Sequence, residues 1–569
     1  MNIETSTILP NLAMRLTVVL GLITQCIFGQ TPKLEISKID SIPKNIDSVL
    51  SKFNFKQNNP GLSVMVIKDG EVIYKKNIGL SNLQTKTPVT DNTIFNIGSV
   101  TKQFTAFCIL KLAEEGKLNL DDSIQKYIPK LPYFGEIITL NHLLSNTSGI
   151  PDYLEVLALK NQYKKKRLKT EYMLDLYKKY HTLSFKPGTR FSYCNTGYMM
   201  LCVIVERVSG TSIEKYAQEN IFKPLKMKSA KFTNLESDGM PDGTRSYYLA
   251  KNKFKAHKPI QPNAMGATGV FCTIDDYRKW DANFTQPTAA TKNIVAKMKQ
   301  EYFFNNGGNS GYGAGILVKP YKGFLSEEHS GGWNSFLVQF RRLPELGLSV
   351  FVASISTSNQ PFKICDEITD LFLPKRIPTD PTLKINNYNL SDLNIFTGTY
   401  LDANNVIRKI INKNDSLTIT NYNDTNKAIQ KLIYLHTVGD NIVQFIDGEL
   451  DTVHFLQKEK RVIGFYWTGS TYFRFKRFYE KLDVSKFNVE KICGNYHSEE
   501  LKYKFKIKKK GSNQLILKPI FFLNYDFDYL GSNVFKVKNE PIYFRFYNNY
   551  VSVGNEWTSN IIIPKVKNK

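Results

Sequence analysis

After its first thirty residues the chain has no stretch approaching the ~18–20 uninterrupted apolar residues of a membrane-spanning helix, so no transmembrane segment is expected in the mature chain. It also lacks any Cys-x-x-Cys pair. Cys108, Cys194, Cys202, Cys272, Cys365 and Cys493 are scattered, which fits neither a zinc site nor a disulfide scaffold. They read as buried free thiols, with one opportunistic disulfide as the alternative in an exported protein. No metal and no cofactor is implied. Acidic residues are outnumbered 51 to 76 by lysine and arginine, for a net charge of +25. The lysines are nevertheless spread along the chain without a nucleic-acid module, so no nucleic-acid partner is expected. The charge fits a solvated basic surface, with attraction to an anionic cell-wall polymer as the second reading.

What is present is a large globular composition: 569 residues, 42% hydrophobic and 22% charged, enough for about three cores of ~100–200 residues each. Residues 1–30 read as an export signal. Arg15 precedes the apolar run from Leu16 to Ile23, and the stretch closes at Ile27-Phe28-Gly29-Gln30. The residues before Met14 do not form a compact basic leader, so Met14 is the expected start codon, with Met1 as the alternative. Gln25 stands before Cys26 where a lipid-attachment box needs a small residue, so lipoprotein anchoring is not expected. The mature protein is expected to be secreted or periplasmic.

From about residue 45 to 375, strand-like and helix-like segments alternate. Leu62 to Ile67, the turn Lys68-Asp69-Gly70 and Glu71 to Tyr74 read as a hairpin. Phe336 to Phe340 and Leu348 to Val352 form a second one, and a helix follows from Ile364 to Phe372. The pattern predicts an α/β sheet whose two ends meet, with a helical insertion. Pro374, Pro378 and Pro381 then mark a linker, taken as 376–389.

Beyond it the sequence is aromatic and β-branched, and it repeats. Phe396-Thr397-Gly398-Thr399-Tyr400 recurs as Ile492-Cys493-Gly494-Asn495-Tyr496, and Val438 to Val443 recurs as Leu530 to Phe535. Two all-β modules are therefore expected, 390–480 and 481–569. Within the second, Lys502 to Lys508 alternates lysines with Tyr503, Phe505 and Ile507. That is the period of a half-buried strand, and a solvated sheet face explains it better than a polyanion patch.

Three short motifs carry chemistry. Ser99-Val100-Thr101-Lys102 is one of four Ser-x-x-Lys patterns, the others starting at Ser41, Ser123 and Ser212. Only Ser99 leads into a segment, Val100 to Leu110, that is apolar on most of its circumference, the mark of a buried helix. Lys102 then falls on the same face, where burial can depress its pKa and let it take the serine proton. Tyr193-Cys194-Asn195 lies in a loop entering a helix. Tyr193 is expected to shuttle protons beside Lys102, and Asn195 to donate to a substrate carbonyl. His329-Ser330-Gly331-Gly332 contains the one His-x-Gly among seven histidines. Gly331 and Gly332 would let a substrate lie against the strand, the N–H groups of Gly332 and Ser99 would form an oxyanion hole, and His329 would position groups.

In these motifs, and in Leu143 to Tyr153, Pro187 to Tyr198 and Gly266 to Tyr277, residues from about 45 to 375 resemble the penicillin-recognising serine hydrolases: class C β-lactamases, D,D-peptidases, D-aminopeptidases and related esterases, and the hydrolase domain is taken as 31–375. The resemblance implies a β-lactamase/transpeptidase-like α/β domain, with a five-stranded antiparallel sheet flanked by helices plus an all-helical region. It implies acylation of Ser99 through Lys102 and Tyr193. The Gly-x-Tyr repeats resemble small lipocalin-like barrels appended to such enzymes. His329 replaces the lysine of the β-lactamase strand motif, and no deacylating loop glutamate of the class A kind is found. The expected activity is therefore cleavage of a small amide or ester of the D-amino-acid peptide type. β-Lactam hydrolysis is the first alternative, and a non-catalytic, wall-binding protein the second.

Overall fold

The computed structural model describes residues 42–159, 170–180, 182–233, 240, 242–257, 265–289, 292–305, 310–322 and 324–373, then 396–401, 493 and a series of strands between 407 and 564. The export signal expected over 1–30 and the linker expected over 376–389 lie outside the described residues.

The first part is built on an antiparallel sheet of β1 (Leu62–Lys68), β2 (Glu71–Ile78), β3 (Leu317–Tyr321), β4 (Phe324–Trp333), β5 (Phe336–Leu343) and β6 (Leu348–Ser354). The spatial order is β3-β4-β5-β6-β1-β2. That is six strands rather than the five the resemblance implies, because β3 folds back on β4 and pairs Tyr321 with Phe324 and Leu317 with Glu328. β1 is a continuous apolar run because it is central and covered on both faces, with Leu62 through Ile67 all buried. The edge strand β2 exposes Val72, Lys75 and Lys76 instead. Asp69 and Gly70 both take positive φ, 51° and 87°, as a two-residue hairpin turn requires. Leu62 pairs with Ser354, so the two ends of this region meet in the sheet.

Helices α1 (Thr101–Glu114) and α2 (Asn195–Ser209) pack against each other. Every residue of α1 from Thr101 to Leu110 is buried, polar ones included. Trp280 shows how such a polar residue is accommodated: its ring stacks on Phe104 with centroids 4.3 Å apart, and its Nε1–H donates to Gln103 at 2.8 Å. A pair of this kind contributes about 0.5–1.5 kcal/mol beyond its burial. Gly116 at φ 70° ends the helix.

Charge fixes the register of β4 on β5. Glu327 stands opposite Arg342 and Glu328 opposite Arg341. Arg342 donates to Glu327 at 2.6 Å and, through Nε, to Asp281 at 2.9 Å; Arg341 donates to Glu328 at 2.6 Å and Asp366 at 2.8 Å. A one-residue slip would leave these buried charges unpaired and turn each side chain to the other face. His329 to Gly332 follow directly, so their placement inherits this register.

In the C-terminal part, eight strands from Gly398–Leu401 to Phe473–Phe478 close into a barrel, the first pairing with the last. Eight more, from Gly494–Ser498 to Ile561–Pro564, form one sheet, and among the described residues no ladder joins its first and last strands. Those two strands nevertheless lie close together, so the sheet curls round toward the barrel-like form expected. Both Gly-x-Tyr motifs fall on the first strand of their set, with Tyr400 and Tyr496 buried. The second repeated motif falls in both sets at the hairpin between fourth and fifth strands. Ile507 is buried between exposed Lys506 and Lys508, the alternation its sequence predicts.

Candidate active site

Ser99 lies in a 3₁₀ turn, Gly98–Val100, that leads into α1. Gly98 takes φ 53°, and its N–H donates to Asn96 Oδ1 at 2.9 Å. Lys102, three residues on in the first turn of α1, comes to the same side as Ser99. The rival patterns are caps: Ser123 accepts from the N–H of Gln125 and Ser212 from that of Lys215. Ser41 lies outside the described residues.

Lys102 is completely buried. Its Nζ is 2.8 Å from Asn195 Oδ1, 3.0 Å from the Ala267 carbonyl and 3.4 Å from Ser99 Oγ. Burial pushes its pKa down to about 7, against the raising influence of Asp152 and Cys194. A neutral amine has two N–H bonds and one lone pair. With both hydrogens taken by carbonyl oxygens, the lone pair is left for Ser99 Oγ.

The Tyr193 loop is clamped by Asn146, whose backbone carbonyl accepts from Ser192 N–H at 2.8 Å and whose Oδ1 accepts from Cys194 N–H at 3.1 Å. Lys102 Nζ lies 4.6 Å from the centre of the Tyr193 ring. Ser99 is near enough to ease ionisation of the Tyr193 hydroxyl, yet that hydroxyl makes no hydrogen bond of ordinary geometry. Burial, then Tyr312, drives its pKa well above that of a free phenol. Burial thus makes Lys102 easier to deprotonate and Tyr193 harder to ionise than the free side chains.

Asn195 opens α2 and directs Oδ1 at Lys102, so this oxygen is committed to the lysine. His329 is buried with its ring 6.0 Å from that of Tyr193. Its Nδ1 lies 2.6 Å from the Ser330 carbonyl and its Nε2 3.0 Å from the Tyr312 hydroxyl. Since a carbonyl only accepts, Nδ1 carries the proton and Nε2 accepts from Tyr312. Burial, assisted by Lys102, lowers the pKa of His329 to about 4, leaving a neutral ring.

Gly331 and Gly332 run against the serine turn. A Cβ on Gly331 would fall 2.0 Å from the Ile97 carbonyl oxygen and 3.2 Å from Ser99 N; one on Gly98 would fall 2.5 Å from Gly332 N. β3 pairs only as far as Glu328, so β4 from His329 onward has no ladder on that side. The seven residues expected from sequence, Ser99, Lys102, Tyr193, Asn195, His329, Gly331 and Gly332, are brought into one cluster by these contacts.

Sequence reasoning missed Asn146, Asp152 and Tyr312. The first two sit in the quoted Leu143 to Tyr153 stretch, where polar residues interrupt an apolar pattern. Tyr312 lies in the glycine-rich Gly311-Tyr312-Gly313-Ala314-Gly315, a signal of close backbone approach; a Cβ on Gly315 would fall 2.7 Å from the Lys102 carbonyl. A separate cleft of about 810 Å³ opens beside Leu110, Asp121, Asn141 and Tyr302. Ser99 is not part of its lining.

Comparison with known proteins follows the same residues. The profile of the family described as Beta-lactamase matches residues 46–368. Protein flp of Staphylococcus aureus (strain MW2) is 36% identical over 201 residues, covering 34% of this chain and 39% of that protein. The D-aminopeptidase of Gluconobacter oxydans (strain 621H) is 28% identical over 303 residues, covering 52% and 56%. The solved octameric penicillin-binding protein homologue from Pyrococcus abyssi aligns with a TM-score of 0.51 at 26% identity, over 78% of this chain and 100% of that one. The chain thus spans between 39% and 56% of the length of these two curated relatives.

Proposed function

Because the chain belongs to the β-lactamase family of penicillin-recognising serine hydrolases, we propose that Ser99 is its nucleophile and that it cleaves a small amide or ester of the D-amino-acid peptide type. The observation that carries this reading is the buried amine of Lys102, 3.4 Å from Ser99 Oγ, with the oxygens of Asn195 and Ala267 placed to take its hydrogens and leave a lone pair for the serine. Lys102 accepts the hydroxyl proton as Oγ bonds to the substrate carbonyl carbon. The N–H groups of Ser99 and Gly332 receive the developing oxyanion, an interaction whose loss typically costs ~10²–10³ in rate. Tyr193, held as a phenol, gives its proton to the departing amine or alkoxide and recovers one from Lys102. Water then attacks the acyl-enzyme, and the same base takes its proton.

A neutral, buried His329 offers no cation to a substrate carboxylate. That favours amides and esters over penicillins and cephalosporins, which carry such a group; β-lactam hydrolysis remains the alternative. A non-catalytic, wall-binding role fits less well with an assembled nucleophile and base. The proposed organisation is a hydrolase domain over 31–375, preceded by an export signal and followed by two β-modules with a scaffold or substrate-shaping role. The profile match at 46–368 falls inside those hydrolase limits. Among the described residues no helix is long and apolar enough to cross a membrane.

The deciding experiment is a panel of D-alanine p-nitroanilide, p-nitrophenyl acetate and a chromogenic cephalosporin, run on wild type and Ser99→Ala. Turnover of the first two substrates, lost in Ser99→Ala, is expected. A fluorophosphonate that labels both proteins equally would overturn the assignment of the nucleophile.

A further inference from the structure

Helix α2 begins without a cap of its own. Cys194, at the capping position, makes no side-chain hydrogen bond to the first turn, although the first N–H groups of a helix need acceptors. The acceptor comes from another segment: Asp152 Oδ2 accepts the N–H of Asn195 at 2.5 Å, while Oδ1 accepts that of Leu154 at 2.8 Å. Asp152 is wholly buried. Burial raises the Asp152 pKa above that of an ordinary aspartate, and the N–H groups of Asn195 and Leu154 together with Lys102 oppose that rise by favouring the ionised form.

The turn bearing Asp152 is stapled to the same helix end. Thr196 Oγ1 accepts from Tyr153 N–H at 2.8 Å and donates to the Pro151 carbonyl at 3.0 Å, and the Tyr177 hydroxyl donates to that carbonyl at 2.7 Å. One residue therefore links the two halves of the arrangement. Asn195 gives its backbone N–H to Asp152 and turns its side-chain oxygen to Lys102 at 2.8 Å.

We propose that Asp152 is a positioning residue of the acylating machinery, orienting Lys102 through Asn195 and placing a carboxyl group behind the base. This rests on the reading of Ser99 and Lys102 given above. It touches neither substrate nor Ser99; it fixes the direction of Asn195 Oδ1 and hence the hydrogen that Lys102 spends there. The groups that bear on Lys102 are Asp152, Cys194, Tyr193, Tyr198 and His329. Those that bear on Asp152, besides Lys102, are Glu155, Cys194, Tyr177 and Tyr193. Among them Asp152 raises the lysine pKa more than any other group. Glu155 is buried with neither oxygen hydrogen-bonded, and burial raises its pKa well above that of an ordinary glutamate, the neighbouring Asp152 adding to it. Burial raises both carboxyls, but only Asp152 has backbone N–H donors and Lys102 to favour its ionised form.

The test uses the full chain and p-nitrophenyl acetate, with kcat and KM measured across pH. Removing the carboxyl group in Asp152→Asn lowers the proton affinity of Lys102, so the acid limb of kcat/KM moves down by about one pH unit. Misorientation lowers kcat by about 10- to 100-fold while KM changes less than about twofold. Because Asp152 acts through Asn195, the double variant Asp152→Asn/Asn195→Ala should be no slower than Asn195→Ala. Thr196→Ala, which loosens the same turn without altering charge, should lower stability and leave the acid limb in place. Asp152→Ser keeps a capping oxygen and loses the carboxyl group, so it carries the same test should Asp152→Asn not fold. An unmoved acid limb in a folded variant, or independent multiplication of the two single effects, overturns the proposal. Ester turnover retained in Ser99→Ala overturns the reading of the nucleophile instead.

Discussion

The hydroxyl of Tyr312 stands 3.0 Å from Nε2 of His329 and donates to it, because the other ring nitrogen is committed to the Ser330 carbonyl. The histidine is thereby held as a single neutral tautomer in a strand position where a lysine would bring charge. Tyr312→Phe removes the donor and leaves Nε2 buried without a partner. A loss of about 1–3 kcal/mol in unfolding free energy is expected, and an NMR titration should show His329 still neutral at pH 7 in the wild type.

Lys102 reports on the same cluster through stability. Its pKa is about 7 in the fold against 10.5 ordinarily, so between those values the unfolded chain binds more protons and wild-type stability rises with pH. Lys102→Met lacks that slope. Measured by denaturant unfolding, the difference between the two proteins should shift by a few kcal/mol in favour of wild type from pH 7 to 10.5. Parallel curves would show that the lysine is not the buried amine described.

Glu328 gives the opposite sign. Arg341 and Lys319 hold its carboxylate at about 2, below the usual 4.5 and against the cost of burial. Its contribution is complete above pH 4.5 and is lost as pH falls through about 2. Glu328→Gln should therefore cost about 3–5 kcal/mol at pH 7, with the gap to wild type closing on acidification. A gap that stays constant with pH would contradict the ion pair.

The glycines of β4 are expected to differ. A Cβ on Gly331 would meet the Ile97 carbonyl oxygen at 2.0 Å, backbone that can move only by displacing the serine turn, whereas one on Gly332 would meet the end of the Leu337 side chain at 3.2 Å. Gly331→Ala should abolish fluorophosphonate labelling and destabilise the fold by at least about 1–3 kcal/mol. Gly332→Ala should fold at near wild-type stability. Equal tolerance at both positions would mean the strand does not press on Ser99.

Much of this site was legible along the chain because its parts are local. Ser99 and Lys102 share one turn, the apolar circumference of Val100 to Leu110 reveals a buried helix, and His329 stands beside two glycines. The sixth strand was not legible, since Leu317–Tyr321 is short and joins the sheet only through its hairpin with β4. Nor were Asp152 and Tyr312, whose importance lies in partners at Asn195 and His329 that sequence spacing does not bring near.

The sequence by itself determined the nucleophile candidate, its base and the glycine strand, because helical period, burial pattern and backbone permissiveness are properties of neighbouring residues. Only the tertiary structure brought together the groups that shift proton affinities at the site. Whether Lys102, Tyr193 or His329 holds a proton depends on desolvation and on Asp152, Asn195, Ala267 and Tyr312 arriving from distant segments. Those terms exist only once the chain has folded around them.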